Sequence, residues 1–272
     1  MHLEPPQGGK KVLLHCCCAP CSGAVVECLV QNGIRPTLFF SNSNIVPFEE
    51  YELRRGELVR YARQFGLEVI DDEYDHEAWL DYVLEREIPG QAGNDALAKA
   101  PERGPRCLRC FEFRLKRAAL YASEHGFDVL TTTLASSRWK SLEQVDEAGR
   151  WACGEISPRA SLGRNDIREL GRNDNKALGR NDIRELGRND KKALGRNDIR
   201  GLGRNDIIIG SNELVWWNQN WRKGGLQPRR AEIIKEQNFY NQTWCGCEFS
   251  ERHDAAAGCE ATTNETARHD AK

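Results

Sequence analysis

Cysteines at distant points of the sequence carry the clearest chemistry of this chain. Eleven cysteines occur among its 272 residues. Six of them form three closely spaced pairs: Cys17 with Cys18, Cys107 with Cys110, and Cys245 with Cys247. Two distant thiol pairs that folding brings together offer four soft ligands, the number that an iron–sulfur cluster or a tetrahedral zinc ion takes. The spacing therefore predicts a metal centre and favours an enzyme that handles electrons.

The first pair belongs to the motif H-C-C-C-A-P-C, which follows a short apolar run. Ligands of open α/β sheets bind beyond the carboxyl ends of the strands, so this turn is a favourable place for a site. A helix that begins there lowers thiol pKa values and favours the thiolates that a metal needs. Cys18 and Cys21 also form a C-x-P-C dithiol like that of thioredoxin. A metal-free thiol–disulfide oxidoreductase is therefore one alternative, and the packing of thiols as small apolar side chains is another.

The second pair, in the sequence C-L-R-C, has four arginines near it: Arg103, Arg106, Arg109 and Arg114. Positive charge stabilises thiolates and suits an anionic cluster or a phosphate. A solvated helix face is the alternative explanation of these arginines. A further alternative for the four thiols is a structural zinc site that stabilises a non-catalytic RNA-binding module.

The third pair, Cys245 and Cys247, is separated by one glycine and is too closely spaced to hold a metal comfortably. A disulfide between residues i and i+2 is strained and breaks readily, which suits electron transfer better than stabilisation. We interpret this pair as a redox switch. The alternative is that one of these two cysteines is an additional metal ligand and the other has no role in the site.

Aromatic and basic residues alternate in the stretch 214–230, which contains Arg222 and Lys223. This pattern favours stacking on bases and contact with phosphates of a single-stranded nucleic acid. An ordinary strand, turn and helix with charged flanks explains it equally well. The sequence S-R-W-K at 137–140 is expected on the same rim.

The overall composition limits the class of protein. Formal net charge is −2, so a nucleic acid would have to be held by a local basic patch. No stretch is apolar for the length of a membrane span, and the first ten residues lack the apolar core of a signal peptide. We therefore expect a soluble protein of the cytoplasm without a membrane partner. In a reducing compartment, abundant cysteines favour metal or catalytic thiols over a disulfide framework.

Short apolar strands alternate with longer amphipathic helices along the chain. Strands are predicted at 11–15, 35–40, 67–70, 128–132 and 214–217, and helices at 22–32, 47–65, 76–86, 108–125, 141–152 and 228–237. This alternation predicts βαβ units. We expect one Rossmann-like α/β domain with a mostly parallel sheet, formed by 11–158 together with 212–250.

Residues 162–209 interrupt that pattern with six consecutive copies of the octapeptide L-G-R-N-D-x-x-x. A period of eight is too short for a solenoid and fits no supercoiled helix. We interpret the array as a polar insertion that forms a disordered surface loop; a basic tether for nucleic acid is the alternative. The tail at 251–272 is polar and is predicted to be disordered.

Several motifs, taken together and in order, resemble the epoxyqueuosine reductase family of the QueH type. They are H-C-C-C-A-P-C, the stretch 39–54 (F-F-S-N-S-N-I-V-P-F-E-E-Y-E-L-R), C-L-R-C, T-T-L-A-S-S-R-W-K, N-W-R-K-G-G and F-Y-N-Q-T-W-C-G-C-E-F-S. The resemblance covers about 11–158 and 212–250 and implies a fold of the HUP type. It also implies the last step of queuosine biosynthesis, in which the epoxide of a modified guanosine at the tRNA wobble position is reduced to an alkene.

The resemblance further implies roles for individual residues. Cys17, Cys18, Cys107 and Cys110 would bind a [4Fe–4S] cluster, and Cys245 with Cys247 would form a redox-active disulfide. A mononuclear iron would lie beside the cluster, with Cys21 and Asp75 as candidate ligands. Candidate proton donors are Tyr51, Asp75 and Lys140, and candidate tRNA contacts are Arg54, Arg222 and Lys223. Electrons would come from a donor such as a ferredoxin or a flavodoxin.

Overall fold

The computed structural model describes residues 1–86, 93–156 and 213–250. At its centre lie five parallel strands in the order β3-β2-β1-β4-β5. The strands are β1 Val12–His15, β2 Thr37–Phe40, β3 Val69–Asp71, β4 Val129–Thr132 and β5 Val215–Trp216. This order reverses between β1 and β4, as in a Rossmann-like sheet.

The inner strands are apolar along most of their length because both faces of the sheet are covered. Every residue of β1 and of β4 is buried. Leu14 of β1 pairs with Leu38 of β2 on one side and with Thr131 of β4 on the other. Continuous apolar strands of this kind are typical of parallel sheets that lie between helices.

Helices flank the sheet. In the described part they are α1 Ala19–Gln31, α2 Phe48–Gln64, α3 His76–Val83, α4 Asp95–Ala98, α5 Pro105–Glu124, α6 Leu142–Ile156 and α7 Leu226–Glu236. Helix α1 packs on α2 and α7, whereas α5 packs on α6 and against β1 and β4. None of these helices combines the length and the hydropathy needed to cross a membrane.

The predicted fold class is confirmed, and the differences lie at element ends. Helix α1 begins at Ala19 and α5 at Pro105, each three residues earlier than predicted. Both begin with a proline in the first turn, where its missing N–H costs no hydrogen bond. The short helix α4 was not predicted. The repeats at 162–209 and the tail at 251–272 lie outside the described residues, so their structure and the exact domain boundaries stay predictions.

Candidate metal and redox site

The site lies where β1 and β4 end, at the point where the strand order reverses. Ligands of open α/β sheets bind in the crevice at such a switch point. The cysteine loop follows β1, and a 3-10 turn, Thr133–Ser136, follows β4. The two segments touch, because the amide of Cys17 donates to Oγ1 of Thr133 at 3.1 Å.

His15, the last residue of β1, fixes this end of the sheet. Its ring is fully buried, with Nε2 3.1 Å from the carbonyl of Ser41 and Nδ1 2.7 Å from Oγ1 of Thr132. A carbonyl can only accept, so Nε2 carries the proton and Nδ1 accepts from the hydroxyl. Burial, with Arg114 nearby, lowers the pKa of His15 well below its usual value. The ring is therefore neutral and serves to align strands.

Three thiols come together at the start of α1. The sulfurs of Cys17, Cys18 and Cys21 all lie within 4.8 Å of one another, and all three residues are buried. Cys18 precedes the first residue of α1, and Cys21 lies in its first turn. Soft sulfur ligands in this arrangement can hold a thiophilic metal such as iron or zinc.

The three thiols share charge unequally. Hydrogen bonds from Cys17 and Cys18 lower the pKa of Cys21 well below that of an ordinary thiol, against the effect of desolvation. Arg230 adds to this effect, with Nη2 at 3.6 Å from the Cys21 sulfur. Hydrogen bonds with Cys17 and with Cys21, together with burial, raise the pKa of Cys18. Cys21 is therefore the thiol of the group with the strongest tendency to lose its proton.

The second pair lies in the first two turns of α5. Cys110 is buried and Cys107 is half-buried. Burial raises the pKa of Cys107 to about 11, although the amide of Arg103 donates to its sulfur at 3.3 Å. Burial also raises the pKa of Cys110, while Arg114 and, less strongly, the indole of Trp79 oppose that rise.

The third pair is held on a loop by contacts with distant residues. Cys245 and Cys247 are both free thiols here. Gly246 between them has φ +106°, a conformation that favours glycine, and its carbonyl accepts from the amide of Val46 at 2.9 Å. Arg54 donates to the carbonyl of Cys245 at 2.8 Å.

The two thiols of this loop also differ in charge. A hydrogen bond from Cys247 lowers the pKa of Cys245 well below its ordinary value, against desolvation, and Lys140 and Arg114 lower it further. The same bond raises the pKa of Cys247. A lowered pKa on one sulfur of a closely spaced pair is typical of a reactive thiol.

All three groups face one cavity of about 480 Å³. The cysteines that line it are Cys17, Cys18, Cys21, Cys107, Cys110, Cys245 and Cys247. Folding therefore brings together thiols that are separated by more than two hundred residues in the sequence. The remaining described cysteines, Cys16, Cys28 and Cys153, are buried elsewhere in the core.

Positive charge surrounds these thiols. Arg114 is 1% exposed and donates to the carbonyl of Ser41 at 3.1 Å and to Oδ1 of Asn42. Lys140 and Arg230 are half-buried in the same cavity. Within the described ranges, none of these three cations forms an ion pair with a carboxylate. Desolvation lowers the pKa of Lys140, but Cys245, Cys17 and Cys21 outweigh it and raise that pKa above its usual value.

Two predicted site residues have structural partners instead of facing the cavity. Tyr51 is buried in an aromatic cluster, with ring centroids 5.2 Å from Phe40 and 4.6 Å from Tyr74, and burial raises its pKa to about 12. Asp75 caps α3 by accepting from the amide of Ala78 at 2.9 Å. Among the described residues that line the cavity, neither is found.

The predicted tRNA contacts fall into three different positions. Arg54 is buried, pairs with Glu50 at 2.7 Å and faces the cavity. Arg222 donates to the carbonyl of Lys140 at 2.6 Å and to that of Ser137, so it supports a loop of the cavity wall. Lys223 is exposed.

The sequence alone did not indicate the roles of Trp79 and Arg230. Trp79 lies on α3, is 1% exposed and lines the cavity together with Cys110, whose pKa its indole lowers. Arg230 reaches the first turn of α1 from α7, and its Nε donates to the carbonyl of Pro20 at 2.8 Å. Each contacts residues that are distant in the sequence, and no local spacing of residues predicts such a contact.

The fold and the site together define a class. A Rossmann-like sheet with a thiol-lined, positively charged cavity at its switch point is suited to an enzyme of redox chemistry that can bind a metal.

Comparison with known proteins is consistent with this class. The profile of the family described as epoxyqueuosine reductase QueH matches residues 12–175 and 197–253. Epoxyqueuosine reductase QueH of Haemophilus influenzae is 34% identical over 250 residues, which cover 92% of this chain and 75% of that protein. For the protein of the same name from Acinetobacter baylyi, the identity is 34%, with 92% and 84% covered. The chain belongs to the epoxyqueuosine reductase QueH family and is an oxidoreductase.

Proposed function

We propose that this enzyme reduces epoxyqueuosine to queuosine at the wobble position of tRNA, the last step of queuosine biosynthesis. Membership of the QueH family supports this proposal. The convergence of seven cysteines on one cavity is the observation that carries it. We place the reaction in the cytoplasm.

We propose that the cavity binds a [4Fe–4S] cluster through Cys17, Cys18, Cys107 and Cys110. Thiolates are the ligands that such clusters take, so the donor set fits. The charges fit as well, because Arg114, Lys140 and Arg230 form no ion pair with a carboxylate among the described residues. Buried cations without anionic partners are costly, and an anionic cluster with its thiolates would compensate them. Bound iron would supply one-electron transfer and a Lewis acid for the epoxide oxygen.

Cys21 is a fifth sulfur at the same place. Its pKa is lowered, and its sulfur lies within 4.8 Å of the sulfurs of Cys17 and Cys18. We propose Cys21 as the side chain that would hold a second, mononuclear iron. Asp75 is a weaker choice for that role, because its carboxylate already caps α3.

The thiols at Cys245 and Cys247 supply the right number of electrons. Conversion of the epoxide to an alkene and water consumes two electrons and two protons. Oxidation of the two thiols to one disulfide releases two electrons and two protons, so the step balances. A donor such as a ferredoxin or a flavodoxin would then return two electrons, with two protons from solvent, and restore the dithiol.

The lining of the cavity favours a polyanionic substrate. Its cations are Arg54, Arg103, Arg106, Arg114, Arg138, Arg230, Lys140 and Lys235, whereas Glu102 is the one carboxylate among the described lining residues. The chain as a whole carries a formal net charge of −2. Positive charge is thus concentrated at the site, which is what attraction of a tRNA phosphate backbone needs.

A metal-free thiol–disulfide oxidoreductase is the second candidate. The lowered pKa of Cys21, beside Cys18 at the start of α1, favours it. A site built for that chemistry would not need Cys107 and Cys110 in the same cavity. The requirement for those two residues therefore separates the candidates.

The test is the reduction of tRNA that carries epoxyqueuosine by anaerobically purified enzyme, with mass spectrometry of the digested nucleosides. We expect queuosine to accumulate with the wild type and not with Cys107→Ser. Cys153→Ser is the control, because Cys153 is a buried thiol on α6 that is not among the residues lining the cavity. Enzyme that contains iron but leaves the epoxide unchanged would contradict the proposal.

A further inference from the structure

A short loop at the edge of the cavity is held unusually firmly. We call residues 137–140 the rim loop. Arg222 donates to the carbonyls of its first and last residues. Arg103 donates to the two carbonyls between them, at 3.0 and 3.1 Å. All four carbonyls of the rim loop are therefore bound by two guanidinium groups that come from different parts of the chain.

The loop that is held in this way presents an exposed indole. Trp139 is 45% exposed, although it is a large apolar side chain, and it lines the cavity. The guanidinium of Arg138 lies 5.1 Å from the centre of its ring. Burial of such a ring would be favourable, so core packing does not explain why the fold fixes it at the surface.

The residues around Trp139 indicate which kind of ligand would contact its indole. Arg103, Arg138 and Lys235 are exposed residues of the same lining, and Asn241 and Gln242 add amide groups. Cations and amides around an exposed aromatic side chain are typical of surfaces that bind single-stranded nucleic acid, where bases stack and phosphates meet positive charge. An apolar protein partner would instead favour further apolar residues around the ring.

We propose that Trp139 stacks on a base adjacent to the modified nucleotide, while that nucleotide enters the cavity. This inference rests on the proposed function. It assigns Trp139 a binding role and makes Arg103 and Arg222 positioning residues for the rim loop. Because stacking requires an unpaired base, the enzyme would select an open tRNA loop over a duplex.

The test is a double-mutant cycle between Trp139 and the neighbouring bases. The substrates are anticodon stem-loops that carry epoxyqueuosine, either intact or with one abasic site on the 5′ or the 3′ side of it. Dithionite serves as reductant, so no protein donor is present. We expect Trp139→Ala to raise KM for the intact stem-loop by about 5- to 150-fold, the size of one lost base–aromatic stack.

The abasic substrates identify the partner of the indole. At one of the two positions, the abasic site should raise KM for the wild type by a similar factor and should have no further effect on Trp139→Ala. Trp139→Phe should keep most of the affinity, because it keeps an aromatic face. Leu120→Ala, which removes an exposed apolar side chain of α5 outside the cavity lining, is the control and should leave KM unchanged.

The outcomes separate this inference from the proposed function. Wild-type enzyme that cannot reduce the intact stem-loop contradicts the proposed function. Two results would contradict only the stacking role, provided that the wild type is active. One is an unchanged KM in Trp139→Ala. The other is that, at both positions, the abasic site raises KM by the same factor in Trp139→Ala as in the wild type. A Trp139→Ala defect that appears only with a protein donor in place of dithionite would assign the indole to the donor interface and also overturn the inference.

Discussion

Two groups of thiols in this cavity have similar chemistry but are positioned by different means. Cys17, Cys18 and Cys21 lie between the end of β1 and the first turn of α1. Cys245 and Cys247 lie on a loop outside any helix or strand and are held by contacts of Arg54 and Val46 with its backbone. In each group hydrogen bonds lower the pKa of one sulfur.

The difference in support matches the difference in proposed role. Metal ligands must keep a fixed geometry, and the junction of a central strand with a helix provides it. A dithiol that alternates with a disulfide must change its sulfur–sulfur distance in each cycle. A loop tied down through its backbone carbonyls leaves the two side chains free to make that change.

The largest expected effect comes from the first group. Cys18→Ala removes a proposed ligand, so the purified protein should lose its iron and its reductase activity together. Iron and acid-labile sulfide analysis after anaerobic purification measures this. Retention of the full iron content would show that Cys18 is not a ligand and would remove the contrast between the two groups.

Change of the second group should affect turnover and leave the metal in place. In Cys245→Ser the iron content should equal that of the wild type, while steady-state turnover falls strongly because the dithiol can no longer be oxidised. Parallel loss of iron in this variant would mean that Cys245 is itself a ligand. Iron content and the multiple-turnover rate, measured on one preparation, distinguish the two results.

Gly246→Ala tests whether the loop geometry matters. An added Cβ would lie 3.0 Å from Nη1 of Arg54 and 3.1 Å from Cγ1 of Ile45, at φ +106°. We expect a loss of about 1–3 kcal/mol in the free energy of unfolding, with slower turnover and unchanged iron. Gly33→Ala is the matched control, because φ is +75° but no atom lies within 4 Å of the added Cβ. Equal losses in both variants would show that crowding at Arg54 is unimportant.

The charge on Cys245 predicts a pH dependence. Its lowered pKa keeps the thiolate populated at pH values below about 8.5, where an ordinary thiol is protonated. Alkylation of Cys245 by iodoacetamide should therefore stay fast as the pH falls through that value and slow only well below it. Cys247→Ala removes the hydrogen-bond donor, so the midpoint should move upward. A midpoint at the ordinary thiol value in the unmodified protein would contradict this assignment.

The smallest expected effect concerns the neighbours Arg222 and Lys223. Lys223 is exposed, so Lys223→Ala should weaken tRNA binding modestly and reduce the slope of log affinity against log salt by about 1. Arg222→Ala should instead disturb the rim loop and raise KM without a matching change in the salt dependence. Identical salt slopes for both variants and the wild type would exclude a phosphate contact at Lys223.

The sequence predicted the sheet and the approach of the thiols better than it predicted the supporting contacts. Strands such as β1 and β4 can be recognised from local apolar runs in the sequence. The carboxyl ends of parallel strands lie at one edge of the sheet, so the residues that follow them are expected to meet there. The bond from Arg54 to the carbonyl of Cys245 spans 191 positions. A contact between residues so far apart cannot be predicted from a local sequence pattern. The cap at Asp75, whose carboxylate accepts from the amide of Ala78, is a second contact that the sequence analysis did not identify, and its role as a metal ligand stays a prediction.

The central claim is that four of the cavity's cysteines bind one iron–sulfur cluster. Quantification of iron and acid-labile sulfide in anaerobically purified protein, joined to its Mössbauer spectrum, tests it most directly. The account predicts about four sulfides per chain in a cubane cluster, with the cluster lost in Cys107→Ser and retained in Cys153→Ser. Protein that contains zinc without sulfide, or that is active without any metal, would contradict it.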